Sequence, residues 1–542
     1  MDQTVGPTFP TPRTGVPAVP QAGQAPGLSS DRVPALAWLI AAAFVAVELA
    51  ISGRYGFMQD ELYFVEASRH LAFGYVDQPP LTPLLIHIAE LPGLSPTAIR
   101  IIPALAGGAV VVAAARFAAL FGAGRHGRVL AALTMACTPV LLGAGHVDNT
   151  AALDLLAWTV VLLCVTTALL RDRPRWWLGA GVAAGLGLEN NNLMLLLLIA
   201  VGLGVLLSQQ AGVLRTRWPW LAAAIAAAIW VPNLIWQATH GWPQLAMASA
   251  LHQQNNGAGD YLGGLPAQLL YLGLVGAALA VVGFIKLWRT RELRFLAVAV
   301  TVVVVYVLAW VPGKVYYTGG VAAAVLAAGS VATERWIARA RRPRLVRDTV
   351  VAVILVTTAV FLLVDLSIVP VGDVHKLSGS SQHSAAAGNT AGRPQLGRAV
   401  ADLGLVRNFP GRPGVDWPQF VRAVAAQDAA RVRAGQPPTS IFTGLYTEAA
   451  ALDVLGSADH LPPTLSGMNS FWVWGPGHAS DRTVLVVDAL DRLRPYFASC
   501  RLLTTYYAPY QVRSGSTPIQ IGVCTGPSAS WHTLWTRLKN YE

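Results

Sequence analysis

Charged residues are scarce in this sequence of 542 residues. Asp, Glu, Lys and Arg make up 12% of it, about half of the share that is usual in a soluble domain. Four cysteines are too few for a disulfide scaffold, and glycine shows no collagen-like period. A hydrophobic content of 54% excludes a disordered chain. The apolar residues gather in long runs instead, which is typical of a polytopic membrane protein.

Eleven apolar runs are candidates for membrane spans, because roughly 20 residues at about 1.5 Å rise cross the hydrocarbon core. They are predicted at 33–52, 101–122, 129–145, 150–170, 176–188, 192–209, 218–237, 266–286, 294–311, 316–333 and 349–368. The fifth and sixth runs form one stretch that we divide into a tight hairpin at Glu189 and the three asparagines after it.

The distribution of positive charge supports this topology. With the N-terminus inside, the predicted inner loops hold seventeen Lys or Arg residues and the outer segments hold four, which are Arg54, Arg69, Arg100 and Lys314. This asymmetry follows the positive-inside rule. The net charge of +11 therefore reports membrane orientation, and we expect no nucleic-acid partner. The predicted location is the plasma membrane, with a cytoplasmic N-terminus and an extracytoplasmic C-terminus.

The predicted fold class is a polytopic α-helical membrane protein of about 11 transmembrane helices with a small C-terminal extracytoplasmic α/β domain. The organisation that we predict has four parts: a disordered cytoplasmic tail at 1–31, a membrane domain at 32–368 with a long outer loop at 53–100, a linker at 369–395, and the α/β domain at 396–542. In that domain strands are expected at 439–445, 483–487, 502–507 and 519–523, and helices at 416–434 and 447–455.

The cysteines divide into two groups. Cys500 and Cys524 lie in the predicted extracytoplasmic domain, where they form a disulfide or remain two free thiols. Cys137 and Cys164 lie inside predicted spans and are expected to be packing residues.

Polar residues concentrate on the predicted outer side. In the loop 53–100, Asp60 is either the N-cap of an interfacial helix that runs to about Phe73 or a functional carboxylate. Asp148 and Asn149 follow His146 in the next outer turn and are either caps or site residues. Asp154 lies about one turn into a span, where an unpaired carboxylate is costly, so it is expected to face a polar cavity or a cation.

One further cation stands in an outer turn. Lys314 precedes Tyr316 and Tyr317, and it either snorkels to the interface or faces an anionic phosphate there. Carboxylates and cations at headgroup level suit a reaction on a lipid-phosphate donor. A carboxylate can deprotonate an incoming hydroxyl while a cation or a metal neutralises the departing phosphate.

Two segments carry a family resemblance. Gln59-Asp60-Glu61-Leu62-Tyr63, followed by Tyr75-Val76-Asp77-Gln78-Pro79-Pro80-Leu81, resembles the GT-C glycosyltransferases of the family 39 type. That family includes protein O-mannosyltransferases, lipid A aminoarabinose transferases and bacterial relatives. The resemblance covers about residues 30–370, and the segments 146–154, 314–317 and 466–476 add agreement.

The resemblance implies a hexosyl or pentosyl transferase that moves a sugar from a polyprenyl-phosphate donor to an extracytoplasmic glycolipid, cell-wall glycan or protein, with inversion. The family's first-loop acid falls on Asp60, which becomes the expected base, with Glu61 beside it. The second acidic site falls on Asp148 or Asp154, and spacing leaves both open.

The resemblance also implies a set of substrate-binding residues: Asp77, Gln78, Arg54, Lys314, Tyr316, Tyr317 and His146. Gln78 stands where aminoarabinose transferases carry a lysine, so Arg54 or Lys314 is expected to replace that cation. A divalent metal ion, held by Asp60 and Asp77, is an open alternative. The competing classes are a secondary transporter and a non-catalytic lipid-binding membrane protein.

Overall fold

A computed structural model describes residues 32–255, 261–310, 315–366, 368, 414, 416–436, 439–477, 482–508 and 518–541. The predicted tail 1–31, the predicted linker 369–395 and Lys314 lie outside the described residues.

Helices build the part of the chain before residue 366. They are α1 Ala35–Ile51, α2 Gln59–Arg69, α3 Leu81–Ala89, α4 Pro96–Leu120, α5 Arg125–Ala136, α6 Pro139–His146, α7 Thr150–Leu170, α8 Trp176–Leu188, α9 Met194–Leu206, α10 Trp218–Thr239, α11 Pro243–Asn255, α12 Tyr261–Leu270, α13 Leu274–Arg289, α14 Arg294–Trp310, α15 Gly319–Ala338 and α16 Pro343–Asp365.

Six helices of the described residues are long and apolar enough to cross a membrane, namely α4, α7, α10, α14, α15 and α16. Three bent pairs raise the number to nine if each pair is one span: α5 with α6, α9 with the 3-10 turn Gln209–Arg215, and α12 with α13. The two remaining predicted runs coincide with the shorter apolar helices α1 and α8. The polytopic helical fold is thus confirmed, whereas the count of eleven stays a prediction.

Small residues allow the membrane helices to approach one another closely. A Cβ added at Gly283 of α13 would collide with the backbone oxygen of Val325 in α15, and one at Gly329 of α15 would collide with the backbone oxygen of Leu279 in α13. Such contacts replace the hydrophobic driving force that helices lack in lipid.

The C-terminal domain is a five-stranded sheet in the order β2-β1-β3-β5-β4. Its strands are β1 Ile441–Thr443, β2 Thr464–Ser466, β3 Thr483–Val487, β4 Phe497–Tyr506 and β5 Ile519–Pro527, and its helices are α17 Trp417–Arg433, α18 Tyr446–Leu455, α19 Asn469–Trp474, α20 Leu490–Leu493 and α21 Trp531–Trp535. β1 runs parallel to β2 and β3, while β5 is antiparallel to β3 and β4. The predicted α/β domain is confirmed, although β2 and three short helices were not predicted.

The cysteines follow the predicted division. Cys500 in β4 and Cys524 in β5 form a disulfide between neighbouring strands. Cys137 and Cys164 are free thiols, half-buried and buried respectively, in agreement with a packing role.

The C-terminal domain and the loop 53–100 share one hydrophobic core. Leu62 and Tyr63 of α2 belong to the same cluster as Phe420 of α17 and Ala450 of α18. Polar contacts join the same surfaces, since the Val76 N–H donates to Ser470 Oγ at 3.1 Å. This packing presses the small domain onto α2 and positions the candidate site.

Of the two alternatives for Asp60, the helix cap is wrong. The helix begins at Gln59 with Met58 as its N-cap, so Asp60 is its second residue, and it ends at Arg69 rather than near Phe73. The Met58 N–H is capped by the Glu61 side chain, which accepts it at 2.7 Å.

Candidate active site

Glu61 lies in a fully buried ion pair with Arg100. The two residues are 0% and 2% exposed. Arg100 Nε donates to Glu61 Oε1, and Arg100 Nη2 donates to Glu61 Oε2, each at 2.7 Å. Two parallel charge-assisted bonds of this kind are among the strongest side-chain contacts in proteins.

Backbone groups complete this pair. The N–H groups of Met58 and Asp148 donate to the Glu61 carboxylate at 2.7 Å and 3.0 Å. The other Arg100 donors reach the carbonyl oxygens of Ser52 and Gly56. Glu61 therefore ties the start of α2 to α4 and to the turn before α7, and its oxygens are occupied.

The sequence offered one clue to this pair. Arg100 is a cation at the predicted outer end of a span, against the overall charge bias, and it was counted there without being assigned a partner. Its partner Glu61 is 39 positions away, so only the tertiary fold identifies it.

Asp60 and Asp77 remain half-exposed. Tyr63 Oη donates to Asp77 Oδ1 at 2.6 Å, and Ser470 Oγ donates to the same oxygen at 3.3 Å. Burial raises the pKa of Asp77 to about 6; the hydrogen bonds from Tyr63 and Ser470 oppose this rise, and the negative charge of Asp60 adds to it. The two carboxylates therefore lie within electrostatic reach of each other. We call the start of α2 and the loop 74–80 around them the mouth.

Aromatic side chains of the small domain surround Tyr63. Its ring centroid lies 4.9 Å from that of Tyr446 and 6.3 Å from those of Phe471 and Trp474. Burial, with a smaller contribution from Asp77, raises the pKa of Tyr63, so its hydroxyl stays protonated and donates. Ser470, Phe471 and Trp474 come from the segment 466–476, which the sequence marked by resemblance.

His146 and Asp148 are buried next to the acids Glu48 and Glu61, respectively. His146 Nδ1 is 3.0 Å from Glu48 Oε2, and His146, Asp148 and Glu48 are all buried. Sequence reasoning missed Glu48, although a single carboxylate in the apolar run of α1 was a usable signal.

Asp154 has two neutral amide partners. Asn190 Nδ2 donates to its Oδ1 and Asn191 Nδ2 donates to its Oδ2, each at 2.7 Å. Thr82 Oγ1 donates to Asn190 Oδ1 at 2.7 Å, so Asp154 is linked through the amide to α3. Two amides thus contact the carboxylate for which a polar cavity or a cation was predicted.

The Pro79-Pro80 element is fixed by backbone contacts. The Tyr75 N–H donates to Gln78 O at 2.9 Å, and the Leu81 N–H donates to Glu189 O at 2.8 Å. Gln78 itself is 5% exposed, and its Nε2 has no hydrogen-bond partner among the described residues. A buried neutral amide thus stands where the resemblance led us to look for a cation.

For the remaining predicted residues the structure shows fewer contacts. Arg54 is exposed just after α1, and Tyr317 is half-buried in the 3-10 helix Val315–Thr318 that precedes α15. Lys314 and the side chain of Tyr316 lie outside the description. The described residues contain no group of three or more His, Cys, Asp or Glu that could hold a metal. One or two carboxylates suffice for Mg²⁺ when a substrate phosphate and waters complete its shell, so the divalent ion at Asp60 and Asp77 stays a prediction.

The structure thus combines a helical bundle with a long first loop that carries two neighbouring carboxylates and packs against a small α/β domain. Comparisons with known proteins test the resemblance. Residues 77–236 match the family model described as dolichyl-phosphate-mannose-protein mannosyltransferase. This segment is well under half of the chain, and it includes Asp77 and Gln78 but not Asp60 and Glu61. No curated protein matches the sequence.

Solved structures are similar over most of the chain. Crystal structures of ArnT from Cupriavidus metallidurans match with a TM-score of 0.51 and 15% identity in the apo state, and 0.53 and 16% when bound to undecaprenyl phosphate; each alignment covers 90% of this chain and 97% of ArnT. The Archaeoglobus fulgidus oligosaccharyltransferase in its apo form matches with a TM-score of 0.45 and 12% identity, over 79% of this chain and 63% of its own. The likeness to ArnT shows that this chain has the fold of ArnT, which confirms the resemblance at the level of fold.

Proposed function

We propose that the protein transfers a sugar from a polyprenyl-phosphate carrier to an acceptor on the extracytoplasmic side of the membrane, with Asp60 as the general base. The observation that carries the proposal is the contrast at the start of α2. Glu61 is fully buried in its ion pair with Arg100, whereas Asp60 is half-exposed and lies near Asp77. The ArnT fold, seen elsewhere with undecaprenyl phosphate bound, supports a lipid-linked donor.

The proposed reaction is a single displacement. The acceptor hydroxyl loses its proton to the Asp60 carboxylate as its oxygen attacks the anomeric carbon. The bond between that carbon and the phosphate oxygen breaks, and the phosphate leaves with the electron pair on the opposite face, so the configuration inverts. Asp77, held by Tyr63 and Ser470, places a second negative charge near the oxocarbenium-like centre.

Cations are needed for the departing phosphate, and we assign this role to Arg54 and Lys314. Arg54 is exposed in the same loop as Asp60. A divalent ion at Asp60 and Asp77 would also neutralise the phosphate, but no step above depends on it. Tyr316, Tyr317 and His146 remain proposed substrate contacts.

We assign the buried acids to positioning. Glu61 accepts the Asp148 N–H, so the Asp148 backbone and the Glu61 carboxylate together set the start of α2. Asp154 orients Asn190 and Asn191, and through Asn190 it supports α3. These residues shape the mouth without contacting the reacting atoms.

The sidedness is part of the proposal. The loop 53–100 packs on the C-terminal domain, so the two lie on the same side of the membrane. The charge bias of the predicted inner loops places that side outside the cytoplasm. Labelling single cysteines introduced at exposed positions of the C-terminal domain in intact cells with a membrane-impermeant reagent tests this orientation.

The test of function is a transfer assay on purified protein in lipid nanodiscs. Radiolabelled polyprenyl-phosphate mannose, arabinose, galactose, glucose and an amino sugar serve as donors, and cell-envelope lipid, glycan and protein fractions serve as acceptors. At least one donor is expected to be used, and Asp60→Asn is expected to reduce the rate by about 10²–10⁴-fold with an unchanged melting temperature.

A matched control separates charge loss from chemistry. Asp491 is exposed in the C-terminal domain, and the ion pair that it forms among the described residues is with Arg494, so Asp491→Asn should keep wild-type transfer. Full activity in Asp60→Asn would refute the role of the base. Absence of transfer from every donor, with uptake of a solute into proteoliposomes, would favour the transporter alternative.

A further inference from the structure

A polar cavity of about 370 Å³ opens on the C-terminal domain. It lies apart from the candidate active site and is lined by two arginines, one glutamine, three hydroxyl side chains and one valine. The polar members are Arg431, Arg501, Gln436, Thr483, Ser499 and Thr525. No carboxylate lines the cavity in the described part of the chain, so its charge is positive.

The sheet register aligns the three hydroxyls. Thr483 of β3 pairs with Thr525 of β5, and Thr525 pairs with Ser499 of β4. Residues paired across neighbouring strands lie on the same face, and strands are about 4.8 Å apart. Thr483, Thr525 and Ser499 therefore form a row roughly 10 Å wide, which is a series of donors and acceptors suited to a polyol.

This row is the end of a sheet face that is otherwise covered. Further along the same strands Leu485, Val487 and Ile521 are buried in the core that includes α17 and α18. Because α17 ends at Arg433, it leaves the last row open. The change from apolar to hydroxyl and arginine side chains occurs where the cover stops.

Arg431 gives this open end a buried charge. It is 7% exposed, its Nε donates to Gln436 Oε1 at 2.9 Å, and its Nη1 donates to Thr439 Oγ1 at 2.7 Å. Asp428, one turn earlier on α17, is the carboxylate that interacts with it through space. Nη2 has no hydrogen-bond partner among the described residues, and neither has the exposed guanidinium of Arg501. The Nε and Nη1 groups of Arg431 are thus held by side-chain hydrogen bonds, which leaves Nη2 available to a ligand.

The cavity is remote from the mouth at Asp60. Trp417, at the start of α17, shares a core cluster with Phe57 and Tyr63, whereas Arg431 lies near the other end of the helix. Fourteen residues of helix span about 21 Å. A ligand in the cavity would therefore be contacted well away from the reacting atoms.

We propose that this cavity binds an acidic saccharide, meaning a sugar that carries a carboxylate or a phosphate. Arg431 and Arg501 contact the acidic group through charge-assisted bonds. Gln436 and the row of hydroxyls contact the ring hydroxyls. The proposal goes beyond sugar transfer, because it concerns a second, non-catalytic site on the small domain, and a remote part of a long acceptor glycan would suit it.

Ligand-observed NMR titration of the full-length protein in detergent tests this site. The probes are glucuronic acid, glucose 6-phosphate, glucose and inorganic phosphate. We expect at least one acidic sugar to bind and glucose to bind more weakly, and the two acidic probes distinguish a carboxylate from a phosphate ligand. Arg501→Gln should weaken binding of the acidic probe by about tenfold or more, as loss of a charge-assisted bond implies, and Arg501→Lys should weaken it less.

The control is Arg537→Gln, which removes the same charge from an exposed arginine outside the cavity and should leave binding unchanged. Equal binding by wild type and Arg501→Gln would overturn the proposal. Inorganic phosphate that binds as tightly as glucose 6-phosphate would mean an adventitious ion only. Asp60→Asn should bind the probes like the wild type, so failure here is distinguishable from failure of the proposed transfer reaction.

Discussion

Asp60 and Glu61 are neighbours in sequence but occupy opposite environments. Glu61 is enclosed and accepts hydrogen bonds from Arg100 and from two backbone N–H groups. Asp60 is half-exposed and lies near the half-exposed Asp77. Consecutive residues on a helix point about 100° apart. Two adjacent acidic residues can therefore lie in different environments. Glu61 holds the start of α2 in place, and we propose that Asp60 is the base.

The largest effect on stability should follow from breaking the buried ion pair between Glu61 and Arg100. Arg100→Met leaves the Glu61 charge without its partner, and the loss of a buried partner typically costs about 3–5 kcal/mol of unfolding free energy. Thermal or denaturant unfolding in detergent measures the loss. Arg54→Met is the matched control, because Arg54 is exposed, and it should change stability by no more than about 0.5 kcal/mol. A similar small effect from Arg100→Met would show that the pair does not hold the loop.

The next effect is the energetic coupling between Glu61 and Arg100, which a double-mutant cycle measures. Removal of both charges in Glu61→Met/Arg100→Met leaves no unpaired ion, so the double variant should be more stable than Arg100→Met alone by about 1 kcal/mol or more. In the same unfolding assay Asp60→Asn should remain within about 0.5 kcal/mol of the wild type. Additive losses in the double variant would contradict a coupled pair.

A smaller effect is the pH dependence of stability that arises from Asp77. The pKa of Asp77 is raised to about 6 in the fold, above its ordinary value of 3.8. The folded state then binds the proton more tightly, so the contribution of Asp77 to stability is fully present below its ordinary pKa and is lost as the pH rises through about 6. Between pH 4.5 and pH 7.5 the wild type should lose on the order of 1 kcal/mol more than Asp77→Asn. Parallel melting curves of the two proteins would argue against this shift.

The smallest effect lies at the junction of α2 with the small domain. Burial, and then the charge of Glu66, raise the pKa of Asp453 to about 7. Arg69 Nη1 donates to the Asp453 carbonyl at 3.4 Å, so this residue adjoins α2. The contact should loosen as the pH rises through about 7, because Asp453 becomes charged near Glu66. Hydrogen exchange of peptides from 446–455, corrected for intrinsic rates, should increase from pH 6 to pH 8 in the wild type and change little in Asp453→Asn.

The membrane architecture was largely predictable, because apolar runs of span length have few alternatives to a helix. Each predicted run contains an apolar helix. The bends were not predicted, although Pro139 marks the break between α5 and α6 and was visible in the sequence.

The site was predictable only in its composition. The local pattern left Asp60 as a helix cap or a functional carboxylate, and the resemblance pointed to Asp77. Neither foresaw that Glu61 reaches back to the Met58 N–H. The bond between Glu61 and Arg100 and the bond between Ser470 and Asp77 join residues far apart in sequence. No periodicity encodes such contacts, since they depend on how α4 and α19 pack against α2.

The most direct test of the account is a structure of the purified protein in nanodiscs with undecaprenyl phosphate added. The account predicts that the phosphate density lies at the mouth formed by the start of α2 and the loop 74–80, beside Asp60 and Asp77. Phosphate density that lies at the opposite membrane face, or that is separated from Asp60 by the buried pair of Glu61 and Arg100, would contradict it.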